Sequence, residues 1–244
     1  MALSQFQGLG SGANDNIFGQ IDRYHQASRV SIRPLEHDAG GHYRLAARSG
    51  ALTSAAVTAG GPLFAFRWTT AGFNALIHRV RAFYVPTVAF TAQQELGLDM
   101  VHVTGWTAPD TGGTNLTSSP MRKSMPADPG AGTTNLQIAT TTILSAGTRT
   151  VDANALEVGG GLVNVANAAA GTAYINPNSG ATPAFGFDFE VHVERGSMWL
   201  TLGYGEGFLI RNTVAFPAAG TATLIVNVVY SLIPVTSGLI ISAT

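Results

Sequence analysis

Six histidines are the first residues to test for chemistry, because imidazole is the usual metal ligand and general base. Glu36-His37 with His42 gives Glu-His-x4-His. That spacing does not place two ligands on one helix face as His-Glu-x-x-His does, and Gly40 and Gly41 beside it make a helix a poor expectation. These residues read as polar positions of a turn and a strand start. His78, His102 and His192 each fall inside an expected strand, where a surface or hydrogen-bonded imidazole is the plainer reading. The serines supply no Gly-x-Ser-x-Gly elbow. Gly8-Leu9-Gly10-Ser11-Gly12 lacks both the preceding strand and the following lysine of a phosphate loop, and Gly159-Gly160-Gly161 is equally uninformative. Asp188 and Glu190, with Glu194 following, could act as paired acids on a glycoside. They are more simply the wet face of an amphipathic strand. Cysteine is absent, which excludes disulfides, thiolate metal sites and a cysteine nucleophile. The residues therefore nominate no catalytic, cofactor-binding or metal site, and no cofactor and no enzymatic activity are expected.

The elements that would position such residues are strands. Phe185–Val193 alternates strictly, with Phe185, Phe187, Phe189, Val191 and Val193 on one face and Gly186, Asp188, Glu190 and His192 on the other. In Pro62–Thr70, Phe64, Phe66 and Trp68 form the better core side, opposite Leu63, Ala65 and Arg67. His42–Ser49 sets Tyr43, Leu45 and Ala47 on one face. Leu76–Phe90 sets His78, Val80, Ala82 and Tyr84 against Ile77, Arg79, Arg81, Phe83 and Val85, and Pro86 marks an edge, a bulge or a break. Ala92–Leu98 has slight helical character but reads as the lead-in to a strand over Leu98–Gly105. Asp110–Gly132 is a long loop by its prolines and glycines, followed by a threonine-rich strand over Thr133–Ile143. Glu206–Phe216 and Gly220–Leu232 flank a short Pro217-containing break and predict a hairpin. The sum is an all-β chain: a single antiparallel β-sandwich, jelly-roll-like, over residues 41–244, with an extended N-terminal arm over 1–40.

Composition narrows the function classes. Of 244 residues only 11% are charged, less than half the typical ~25%, and 29 are glycine. Such a surface is poorly solvated unless neighbours cover part of it. The net charge of −1 argues against a nucleic-acid partner, which normally meets a basic stripe. The most apolar run, Thr223–Val235, is interrupted by Asn227 and Pro234 and is shorter than the ~20 residues of a membrane helix, so no membrane partner is expected. The first residues lack the basic start and apolar core of a signal peptide, which fits synthesis in a cytoplasm. Phe6, Leu9 and Phe18 in the arm, and Leu239, Ile240 and Ile241 in the charge-free stretch after Arg211, are apolar side chains with no use in a free tail. They are the candidate assembly contacts; the alternative for the arm is that it covers its own domain.

The segments Ser31-Ile32-Arg33-Pro34-Leu35-Glu36-His37 and Gly41-His42-Tyr43-Arg44-Leu45-Ala46-Ala47-Arg48-Ser49-Gly50 resemble uncharacterised proteins encoded by tailed bacteriophages. Leu63-Phe64-Ala65-Phe66-Arg67-Trp68 and Glu206-Gly207-Phe208-Leu209-Ile210-Arg211-Asn212 add to the likeness. The resemblance implies a virion structural protein from the head and tail genes. The first expectation is a capsid decoration (cement) protein, a homo-oligomer expected to be a trimer, contacting the major capsid protein. The second is a tail, neck or fibre component that could bind a glycan. A carbohydrate-active enzyme or lectin, marked by aromatics beside Asp188 and Glu190, comes last.

Overall fold

The computed structural model describes residues 20–21, 28–29, 41–53, 56–88, 90, 94–120, 135–163, 184–188, 200–216 and 219–235. The chain divides into two units, Met1–Leu35 and Glu36–Thr244. In the first, β1 (Gln20–Ile21) and β2 (Ser28–Arg29) pair antiparallel, Gln20 opposite Arg29. Phe6, Leu9 and Phe18 lie outside the described residues, as do Leu239, Ile240 and Ile241.

The second unit is an antiparallel β-sandwich, as the alternating patterns predict. Its strands are β3 (His42–Arg48), β4 (Leu52–Thr53), β5 (Pro62–Arg67), β6 (Phe73–Val88), β7 (Gln94–Thr104), β8 (Gly113–Asn115), β9 (Ser119–Pro120), β10 (Leu136–Ala139), β11 (Thr150–Val163), β12 (Ala184–Asp188), β13 (Leu200–Leu202), β14 (Gly207–Asn212) and β15 (Thr221–Pro234). One sheet runs β11-β7-β14-β5-β10-β8. The other runs β12-β6-β15-β3-β9, with β13 also on β6 and β4 also on β15.

The core lies between the sheets. Ala222, Leu224, Val226, Val228, Tyr230 and Leu232 of β15 are all fully buried at period two. Facing them, Phe66 stacks on Phe208 at 5.1 Å and meets the Tyr230 ring edge-on at 5.2 Å, so one aromatic cluster joins both sheets. Burying each such ring contributes about 1.5–3 kcal/mol. The β5 expectation needs widening, because Leu63 and Ala65 are buried as well as Phe64, Phe66 and Trp68. Ala65 joins Val101, Val103, Leu209, Trp106 and Leu144 in a second cluster. The loops after β7 and before β11 fold over the outer side of the first sheet and bury it too. Gly207 permits this: a Cβ there would stand 2.1 Å from the Phe66 carbonyl oxygen and 2.7 Å from the Trp106 ring.

Two other expectations change, and the one at Pro86 resolves as a bulge. Val229 pairs with Arg79 but Tyr230 pairs with Ile77, so β6 carries one extra residue, His78, as a bulge. Side chains before and after the bulge therefore swap parity: Ala75 and Ile77 share the core with Val80, Ala82 and Tyr84. The expected grouping of His78 with Val80 fails for this reason. At Pro86 the ladder skips from Ala222 to Thr221 opposite Val88, which is the bulge its missing N–H calls for. The expected hairpin of β14 and β15 does not form, because they belong to different sheets. Phe216 instead packs edge-on against Tyr84 (5.3 Å) and Phe90 (5.6 Å) where the chain crosses over. Gly220 has φ +101° there, with Phe90 at 2.3 Å from where a Cβ would lie.

The Thr133–Ile143 expectation contracts to β10, and β8 and β9 give part of the expected Asp110–Gly132 loop short ladders. β12 forms as far as Asp188; Glu190, His192 and Glu194 lie outside the described residues. β11 was hidden by Gly159-Gly160-Gly161, which continue its pairing with β7 through Leu98–Leu96.

Candidate functional site

One end of the sandwich gathers the turn between β5 and β6, the turn between β13 and β14, the end of β7 and the end of β15. The backbone ties these together. Gly205 donates its N–H to the Trp68 carbonyl and accepts from the Trp106 N–H, both at 2.8 Å. Trp68 N–H reaches the Glu206 carbonyl at 2.8 Å, and Val235 N–H reaches the Gly72 carbonyl at 3.0 Å. Side chains complete the frame. The Glu206 carboxylate accepts from Gly203 N–H at 2.6 Å, and the Trp68 indole N–H donates to the Phe73 carbonyl at 2.7 Å. Arg67 donates to the Trp106 and Thr107 carbonyls at 2.9 and 3.0 Å and to Asn135 Oδ1 at 3.1 Å. Burial lowers the pKa of this guanidinium, with the nearby Tyr204 phenol acting in the opposite sense.

From this frame Tyr204 projects with 71% of its surface exposed, between Gly203 and Gly205, the latter at φ +78°. Val235 is 48% exposed at the same end, and the charge-free residues 236–244 continue from it. An exposed aromatic ring and an exposed aliphatic side chain at one end of the sandwich are suited to contact.

The histidines separate into two places. His42 and His78 stack at 5.0 Å on the outer side of the second sheet, and His78 Nε2 lies 2.8 Å from the hydroxyl of Ser231. Sequence spacing offered no way to pair them; the β3–β15–β6 order and the bulge do so. His102 is on the first sheet, with Nδ1 3.1 Å from Asp152 on β11. Among the described residues no three His, Asp or Glu side chains come together as a metal-binding group. Asp188 stands beside Arg79 in the β12–β6 ladder.

Sequence reading missed the ionic contacts of the first sheet. Asp110, fully buried, takes a hydrogen bond from Gly147 N–H at 2.9 Å and pairs with Arg149, whose guanidinium also lies 5.4 Å over the Trp106 ring. Burial, then the neighbouring Arg211, lower the Arg149 pKa. Arg211 forks onto Asp99 with its Nε at 3.1 Å. Comparison with models of known protein families and with curated proteins gives no match.

Proposed function

We propose that this protein is a non-enzymatic structural component of a tailed-bacteriophage particle, its sandwich a variant of the jelly roll, acting as a decoration protein that cements the head through contacts between subunits. The phage assignment rests on the sequence resemblance over residues 31–37, 41–50, 63–68 and 206–212. The observation that carries the assembly role is the sandwich end where Tyr204 and Val235 stand exposed and the charge-free residues 236–244 begin. Exposed apolar side chains of this kind belong under a neighbour.

Light scattering on the purified chain, followed by addition to particles that lack it, tests the proposal. A trimer that adds to empty heads is the expected result. Binding confined to tails or to one vertex would move the assignment to a neck, tail or fibre component. A monomer that ignores particles would overturn it.

A further inference from the structure

The net charge of −1 conceals a segregation of charge. On β3 the core takes Tyr43 and Leu45, with Ala47 packed against it, and this leaves Arg44 and Arg48 on the outer side of the second sheet, both exposed. On β6 the parity change at His78 brings Arg79 and Arg81 to that same side, also exposed. The central strand β15 aligns them. Arg44 and Arg79 both pair with Val229; Ala46 and Arg81 both pair with Asn227; Arg48 and Phe83 both pair with Ile225. Arg44 and Arg79 thus stand about 10 Å apart across one strand, and Arg79 and Arg81 about 7 Å apart along one.

The contrast with the other sheet is sharp. Arg67, Arg149 and Arg211 there are held by carbonyl groups and Asn135, by Asp110 and by Asp99. None of Arg44, Arg48, Arg79 and Arg81 makes an ion pair among the described residues. Among the described residues, the acid placed near them by register is Asp188, beside Arg79. Between the four arginine positions run Ile225, Asn227 and Val229 of β15, with Phe83 at one margin; Asn227 is exposed and the three apolar residues are half-buried.

We infer that the outer face of the β3–β15–β6 ladder is a docking surface for the acidic, partly apolar surface of another protein, which deepens the structural role proposed above and rests on it. Charge complementarity sets the sign of the partner, since four like charges in one patch repel until carboxylates meet them. The planar forks of arginine match carboxylates two bonds at a time. Ile225 and Val229, the half-buried aliphatic residues among these arginines, decide between a protein and a nucleic-acid backbone. Protein interfaces combine arginine and aromatic residues around an apolar centre. A phosphate backbone is held by basic and polar groups and gains nothing from Ile225 or Val229.

The test uses the full chain, the charge reversals R44E/R79E and R48E/R81E, and the conservative R44K/R79K, with far-UV circular dichroism and thermal unfolding to confirm that each still folds. The probes are a short immobilised Glu/Leu peptide, a short single-stranded DNA, and particles lacking the protein. The wild type is expected to hold the peptide, to release it as salt rises, and to lose about tenfold or more in affinity in either reversal, with R44K/R79K in between. The reversals are expected to lose particle binding in step. Reversed variants that bind peptide and particles like the wild type would overturn the inference, and so would DNA that displaces the peptide at equal ionic strength. A wild type that binds the peptide through this face but ignores particles would sink the virion role while supporting the chemistry of the face. Particle binding that is indifferent to the reversals would do the opposite.

Discussion

At Asp110 the chain buries a carboxylate completely and answers it with one guanidinium, Arg149, itself only 6% exposed. Removing one partner of such a pair leaves the other charge without compensation, which costs about 3–5 kcal/mol. Arg149→Met is therefore expected to lower the urea midpoint strongly. Adding Asp110→Asn should restore part of the loss, because the stranded charge is then gone. Two single variants and their double, compared by denaturant unfolding, check this. Tyr84 sets a second expectation. Its hydroxyl donates to Asn212 Oδ1 at 2.8 Å inside the core, and burial raises its pKa well above the ordinary value. Below about pH 10 the phenol is neutral in folded and unfolded chains alike, so Tyr84 adds no pH dependence there. Above that value the unfolded chain ionises first and stability falls as pH rises toward the raised folded pKa. Tyr84→Phe should lose about 1–2 kcal/mol at neutral pH and show a shallower decline above pH 10, read from urea midpoints across the range. Neither contact was legible in the sequence. Asp110 and Arg149 are 39 residues apart and Tyr84 and Asn212 are 128 apart, and no local spacing encodes such meetings.

At the scale of elements, more was readable. Phe64 and Phe66 of β5, and Trp68 just after it, reach the core as their alternation predicts, since a side chain's face is set by its parity along the extended chain. What alternation cannot register is an inserted residue. His78 reverses the parity of β6, and reading straight through it misassigned the strand's first half. The same logic gives an unusual deletion experiment. Without His78, Ile77 and Arg79 become neighbours and their partners Tyr230 and Val229 already are, so the ladder closes with every core residue still inward. Deleting His78 should give a folded protein that loses the imidazole's contacts, those to Ser231 and His42 among them. Deleting Arg81, in the regular part of the strand, should turn core residues outward and abolish folding. Circular dichroism and thermal melts of the two variants compare them directly. The β14–β15 hairpin failed for a related reason: a short break with proline signals a reversal, but not whether the returning strand joins the same sheet or the facing one.

Over the whole molecule, composition indicated a protein with covered surfaces, yet its net charge hid where the charge sits. Counting residues averages the four exposed arginines of one face against acids elsewhere, and only strand order collects them. The apolar end gives the corresponding expectation for assembly. Removing the charge-free residues from Thr236 onward, which follow β15, should reduce incorporation into particles far more than it lowers the melting temperature. A truncated chain that enters particles at the normal level would refute it. Finally, β15 lies between β3 and β6 and is translated after both. On the ribosome the second sheet therefore exists for most of synthesis as two flanks with an open seam, their apolar faces uncovered. Nascent chains should remain protease-sensitive and chaperone-bound until residues 221–234 clear the exit tunnel, and then gain resistance in a single step.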